Sequence, residues 1–385
     1  MPREFDIIVY GATGFTGRLV AEYLVQTGAK RWAMAGRSLT KLQEVRDLIG
    51  APADTPLVTA NADDPASLRA LCERTTVVLT TVGPYQLYGN DLVAACADSG
   101  TAYVDLCGEP AWMREMIDKH HARAQATGAR IVFSCGFDSI PFDLGVLTLQ
   151  EAAKERFGRP CPRVKGRVRV MKGGFSGGTA ASLKATLAAA ARNPSIIALL
   201  TNPFALTPGF TGPSQPVGML PEYDRTIEAW TAPFIMAPIN TKNVHRTNFL
   251  LGEAFGADFV YDEMMVAGLG DMGKAAAEAI AKINPLAGDK GPKPGEGPSK
   301  EERDSGHYDI LFVGEMGGGE RIDAVVTGDR DPGYGSTSKM IAEAALCLVE
   351  DVADAKGGIW TPGAIMGAPL RKRLIEKAGL TFTAG

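Results

Sequence analysis

The sequence predicts an α/β fold: a doubly wound parallel sheet followed by a second, α+β domain. Three observations carry this. Short apolar runs alternate with amphipathic helical stretches from Phe5 to Gly136, a glycine-spaced turn follows the first run, and after Pro141 the hydrophobic pattern switches to period two. The six runs Ile7–Tyr10, Arg31–Ala35, Pro56–Ala60, Val77–Val82, Ala102–Leu106 and Arg130–Cys135 are short and apolar, as strands covered on both faces are. The stretches between them read as helices, several of which close at a glycine, Gly28, Gly50, Gly100 and Gly128.

In the second half, Val164–Val170 alternates as a half-exposed strand does, Gly178–Arg192 reads as an alanine-rich helix and Asp258–Val266 as a strand. Tyr308–Glu315 and Arg321–Thr327 read as a hairpin closed by Gly317-Gly318-Gly319. Ser336–Val352 has a helical period, and a last amphipathic helix follows Gly357–Pro362. The expected division is residues 1–141 for a dinucleotide, 142–334 for substrate and dimerisation, and 335–385 as C-terminal helices packing back on the first domain. The stretch 284–306 is rich in glycine, proline and charge and is expected to be a mobile loop.

Composition removes several classes of function. With 40 Lys+Arg against 44 Asp+Glu over 385 residues, no basic field exists to hold a nucleic-acid backbone, so no nucleic-acid partner is expected. Six cysteines without a C-x-x-C pair, and four histidines away from ligand spacing, predict no metal site and no disulfide framework. The N-terminus enters its first strand with no charged-then-apolar leader, which predicts a cytoplasmic protein. No run reaches the roughly 20 apolar residues of a membrane span; peripheral lipid contact stays open.

The chemistry begins at Gly11-Ala12-Thr13-Gly14-Phe15-Thr16-Gly17, a G-x-x-G-x-x-G between a strand and a helix. Gly11 permits the tight turn, Gly14 lets backbone approach a pyrophosphate, and Gly17 lets the helix pack close, while amides at the helix start face the anion. This is the fingerprint of a Rossmann-type dinucleotide site. Twenty residues on, where NAD binders carry an acid for the ribose hydroxyls, stand Arg37 and Ser38; a guanidinium and a hydroxyl suit a 2′-phosphate, so NADP is the expected cofactor. Asp63 either meets the adenine amino group or caps the helix near Pro65. Val82-Gly83-Pro84, at the sheet's carboxyl edge, offers room for the nicotinamide ribose, and Tyr85 beside it is either a proton donor or a packing residue.

Phe5 through Gly17, Ala35–Ser38, Thr81–Tyr85, Gly136-Phe137-Asp138-Ser139-Ile140-Pro141 and Ala237–Thr241 together resemble the saccharopine dehydrogenase-like oxidoreductases, and within them the trans-acting enoyl reductases. The resemblance spans nearly the whole chain. It implies a Rossmann domain followed by an α+β domain, NADPH as hydride donor, and reduction of an activated carbon–carbon double bond in a polyketide or lipid precursor. It assigns no catalytic residue. From the residues themselves, Asp138 is either a cap of its turn or an acid–base group, and His245 either a packed residue or one. The uncharged stretches Ala229–Pro238 and Ile359–Met366 are either core or the lining of an acyl-chain pocket. The expected partner is an apolar acyl-chain substrate, free or carrier-bound, with a homodimer open. Saccharopine-type reductive amination and a non-catalytic NADPH-binding, lipid-associated protein are the alternatives.

Overall fold

The computed structural model describes residues 3–173, 177–283 and 296–385. The first half runs β1 (Phe5–Tyr10), α1 (Phe15–Gln26), β2 (Trp32–Gly36), α2 (Leu39–Leu48), β3 (Leu57–Thr59), α3 (Pro65–Arg74) and β4 (Thr75–Thr80). It continues through α4 (Tyr85–Tyr88), α5 (Asn90–Ser99), β5 (Ala102–Val104), α6 (Pro110–Thr127), β6 (Arg130–Val132) and α7 (Ile140–Phe157). Next come β7 (Arg163–Lys172), α8 (Gly177–Arg192), α9 (Pro194–Thr201), β8 (Glu222–Asp224), β9 (Ala229–Pro233), α10 (Ala237–Leu250), β10 (Val260–Gly268) and α11 (Gly270–Ala281). The chain ends with α12 (Lys300–Ser305), β11 (His307–Gly317), β12 (Glu320–Gly328), α13 (Thr337–Glu350), β13 (Gly358–Trp360), α14 (Pro362–Ile365), α15 (Gly367–Arg373) and β14 (Leu380–Ala384).

The first sheet is parallel throughout, in the order β13-β6-β5-β4-β1-β2-β3. Its strands are apolar on both sides because helices cover both. Ile7 and Val9 face a core shared with Val20, Leu24, Leu42 and, from α13, Met340 and Ile341. Ile8 and Tyr10 face the opposite core with Leu68, Leu71, Leu92, Val93 and Trp112. Each fully buried aliphatic side chain here contributes roughly 1.5–3 kcal/mol. The strand order reverses between β1 and β4, which opens a crevice beyond their carboxyl ends.

Two sequence expectations are corrected here. The sheet has seven strands rather than six, because Gly358–Trp360 pairs with Arg130–Val132. Three residues after a glycine pair carry too little periodicity to announce a strand. The second correction concerns 284–306, expected as a loop. Residues 284–295 lie outside the described residues, and Lys300–Ser305 is a helix opened by a capping box between Ser299 and Glu302.

The second sheet is mixed, in the order β14-β12-β11-β7-β10-β9-β8, with β7 and β10 parallel and the other pairs antiparallel. α7 packs on one face, and Gly145 lets it come so close that a Cβ there would collide with the Phe312 ring. Toward the other side Arg167, fully buried, donates to Asp224 at 2.7 Å and Asp262 at 2.8 Å. The last fifty residues are not helices alone: β13 completes the first sheet and β14 the far edge of the second. α10 is buried along most of its length although it carries Asn240, Lys242, Asn243, His245, Arg246, Thr247 and Asn248. Among its bonds, Arg246 donates to the Ile359 carbonyl of β13 at 2.6 Å. In the Ile359–Met366 stretch Ile359 and Met366 are buried, and of Ala229–Pro238 the first five residues form a strand while Ile235 is exposed.

Candidate functional site

The glycine turn stands at the mouth of the crevice between β1 and β4. Gly11 has φ 91°, and a Cβ there would come within 2.8 Å of Val82 and 2.9 Å of the Thr81 hydroxyl. A Cβ on Gly17 would collide with the Gly11 carbonyl oxygen, so the first turn of α1 closes on the end of β1 only with glycine at both positions. Gly14 is the N-cap of α1 and supplies no side-chain cap, which leaves the helix start to an anion; Thr13 and Gly14 are exposed there, Ala12 is buried, and Phe15 and Thr16 are half-buried. Phe15 is itself held edge-on by Tyr334, with ring centroids 5.1 Å apart.

At the end of β2, a cavity of about 330 Å³ is lined by Thr13, Arg37, Ser38 and Lys41. Ser38 caps α2 by accepting from the Lys41 amide at 3.3 Å, which brings the two cations to one side of the cavity. Arg37 and Lys41 are exposed. Two cations, two hydroxyls and a bare helix start are the donor set a ribose 2′-phosphate and a pyrophosphate require. The residues therefore fit NADP. Lys41 escaped the sequence reading, although its place three residues after Ser38, one turn into the helix, was the signal. Asp63 is exposed beside this region; the helix near Pro65 is capped by Asp64 instead, which accepts from Ala66 at 3.1 Å and Ser67 at 3.3 Å.

Beyond β4, Val82 and Pro84 are half-buried and Gly83 exposed at the crevice. Tyr85 turns away from it. Its ring packs on Trp112, its hydroxyl donates to the Thr80 carbonyl at 3.3 Å and accepts from the Leu106 amide at 3.1 Å, and burial raises its pKa well above 10. Both hydrogen bonds tie strand ends within the sheet, so the expectation of a proton donor at Tyr85 does not carry forward. The short helix α4 is capped from outside by Glu109, whose carboxylate accepts from the amides of Tyr85 and Gln86 at 3.0 and 2.9 Å and from Ser182 of α8 at 2.9 Å. Gln86 adds a 3.3 Å bond to Thr186. α8 is thus fastened across the loop that follows β4. Neither Glu109 nor Ser182 carried a recognisable pattern in the sequence.

The loop after β6 closes the third side. Gly136 abuts Leu106, and the Phe137 amide donates to Thr337 at 3.0 Å while its ring meets Tyr308 and Phe142. Asp138 is half-buried, its Oδ1 is enclosed without a hydrogen-bond partner, and burial pushes its carboxyl up to about 7. Asp138 does not cap α7 through Oδ1. The adjoining Ser139 accepts from Asn243 of α10 at 2.8 Å. His245 lies between Phe204 and Phe259 at 4.7 and 5.8 Å, and burial drives its pKa down to about 3; it is a neutral packed residue. Among the described residues no group of His, Cys, Asp and Glu could hold a metal ion, and no helix is long and apolar enough to cross a membrane. All six cysteines are free and buried.

Residues 7–132 match the family model of the saccharopine dehydrogenase NADP binding domain, and the chain binds NADP. A Mycobacterium tuberculosis protein provisionally named a trans-acting enoyl reductase is 43% identical over 97% of this chain and 96% of its own length. The trans-acting enoyl reductase of Mycobacterium leprae is 37% identical over the same shares. Among solved structures, saccharopine dehydrogenase (L-glutamate-forming) of Saccharomyces cerevisiae superposes with a TM-score of 0.55 at 10% identity, covering 99% of both chains, a likeness of fold. The chain belongs to the saccharopine dehydrogenase-like NADP-dependent oxidoreductases, in the family of the trans-acting enoyl reductases.

Proposed function

We propose that the protein reduces an activated carbon–carbon double bond of an acyl-type substrate. The observation that carries this reading is its identity of 37–43%, over nearly the full length, to proteins named as trans-acting enoyl reductases. Bound at Gly11–Gly17 and Arg37–Lys41, NADPH supplies the hydride.

The chain's own residues have three tasks. The glycine turn and the cations of the second strand's end fix the dinucleotide. α8, tied by Ser182 and Thr186 to Glu109 and Gln86, covers the post-β4 loop and excludes water from the reacting bond. Asp138, a half-buried acid that burial holds partly protonated near neutral pH, gives its proton to the substrate α-carbon as the β-carbon takes the hydride. The exposed apolar side chains that flank α8, Leu87 and Tyr88 of α4 and Ile197 of α9, support an apolar chain as substrate. Six unpaired cysteines support a reducing compartment, the cytoplasm.

The test is NADPH oxidation, followed by its absorbance, with α,β-unsaturated acyl thioesters of increasing chain length. Turnover that improves with chain length is the expected result. Oxidation only with a 2-oxo acid and an amine overturns the reading in favour of reductive amination.

A further inference from the structure

The ring of Phe15, in the glycine turn, is gripped from the other half of the chain. Phe15 directly follows Gly14, the N-cap of α1, so whatever lies on its ring is about a side-chain length from the free amides that the helix start offers an anion. Two guanidiniums lie there: Arg18, one turn along α1, and Arg303, on α12, each 5.6 Å from the ring centroid. Arg303 belongs to the segment 296–306 that precedes β11.

That segment is seated on the turn. Gly297 meets the Phe15 ring so closely that a Cβ there would come to 2.5 Å from it. Arg303 is tied at both ends: its guanidinium donates to the Pro298 carbonyl at 2.6 Å, and its own carbonyl accepts from the Asp331 amide at 3.0 Å. Asp331 in turn accepts from the amides of Tyr334 and Gly335 at 2.9 and 2.7 Å, and Tyr334 holds Phe15 edge-on. The contacts Arg303–Asp331–Tyr334–Phe15 close on themselves, which fixes the guanidinium over the ring. At Gly306 a Cβ would come to 2.4 Å from the Asp331 backbone, so α12 approaches this closely only with glycine there.

The neighbouring acids leave Arg303 unspent. Asp304 pairs with Lys300 and Arg330, Glu302 closes the capping box with Ser299, and Asp331 is occupied by backbone amides. Among the described residues neither Arg18 nor Arg303 is in an ion pair. Two guanidiniums on one ring, with no carboxylate paired to either, repel each other, and an anion at the helix start relieves that repulsion.

We propose that Arg303 is a dinucleotide-binding residue that pairs with the pyrophosphate of NADP, so the second half of the chain supplies part of the cofactor site. This rests on the reading of Gly11–Gly17 as the pyrophosphate turn and is independent of the substrate. The cations then divide the ligand between them. Arg37 and Lys41 answer the 2′-phosphate, which NADPH carries and NADH does not; Arg303 answers the pyrophosphate, which both share.

The experiment is isothermal titration of the intact protein with NADPH, NADH and adenosine 2′-monophosphate, for the wild type, Arg303→Met, Arg303→Lys and Gly14→Asp. Methionine keeps an apolar stem on the Phe15 ring and removes the charge. Arg303→Met is expected to weaken NADPH and NADH by the same factor, about 10-fold or more, and to leave adenosine 2′-monophosphate unchanged. Arg303→Lys recovers part of that loss for both dinucleotides. Three results overturn the proposal: a loss for NADPH alone makes Arg303 a 2′-phosphate residue, an equal loss for all three ligands makes it a structural one, and no loss leaves it a packing residue. Gly14→Asp tests the turn itself. Gly14 has the extended backbone of an N-cap, which aspartate suits, and a carboxylate there repels a pyrophosphate. Weakened dinucleotides in Gly14→Asp without loss in Arg303→Met strike Arg303 alone, whereas unchanged binding in Gly14→Asp removes the turn as the pyrophosphate site and Arg303 with it, so the two failures are distinguishable.

Discussion

Ser182 donates a 2.9 Å hydrogen bond to Glu109, the carboxylate that also receives the amides of Tyr85 and Gln86. One side chain thereby caps α4 and anchors α8. Both oxygens are used, and Glu109 is 3% exposed. Its replacement frees two buried amides and a hydroxyl at once. Glu109→Ala is expected to cost about 2 kcal/mol in urea unfolding and to raise the Kd for NADPH, whereas Ser182→Ala, which leaves α4 capped, costs about 1 kcal/mol or less.

Arg37 and Lys41 are the residues proposed to choose the cofactor. Removing a charge-assisted contact to a phosphate loses roughly 1.5–3 kcal/mol, or about 10- to 100-fold in affinity. Arg37→Asp is expected to weaken NADPH by that factor and leave NADH unchanged or improved, as read by isothermal titration. Lys41→Ala weakens NADPH alone, by a smaller factor.

The stability of the fold is expected to fall with alkalinity because of Asp138. Its carboxyl rises from an unfolded value near 3.8 to about 7 in the folded chain, so between those limits the native state binds more protons than the unfolded one. Stability is then lost as pH rises through that window. Asp138→Asn, neutral at all pH, should match wild type only below about pH 4 and gain on it progressively up to about pH 7, by ~1–3 kcal/mol between pH 5 and pH 8 in urea unfolding. A variant equally stable at both pH values relative to wild type would contradict the assignment.

Arg373 bonds to three carboxylates, Glu343, Glu350 and Asp351, and Glu343 is fully buried. Arg373→Ala strands Glu343 as an uncompensated charge, an expected loss of ~3–5 kcal/mol. Pairing Arg373→Met with Glu343→Met should recover most of it, because the interior charge goes with its partner.

The first sheet was legible in the sequence since every strand but one is an apolar run with a helix after it, and the cofactor loop because glycines at 11 and 17 have no substitute in that geometry. Other parts were illegible for identifiable reasons. β13 is three residues long and finds its neighbour 228 positions earlier by register, Trp360 on Val132, which no local pattern encodes. α10 defied the rule that buried faces are apolar; its Asn240, Asn243 and Arg246 look like surface residues until the second sheet is placed against them. Tyr85 showed the opposite error: a polar group at the sheet's active edge that serves only to join strand ends.

β13 and α13 give the parallel sheet an edge and a cover that lie some two hundred residues beyond the strands they complete. During synthesis the dinucleotide half emerges first but waits, with β6 unpaired on one side and the α13 face of its core uncovered, until residues 337–360 have followed it. An isolated piece ending at residue 141 would expose that strand to aggregation. The first half is thereby expected to unfold together with β13 and α13, in one transition rather than alone.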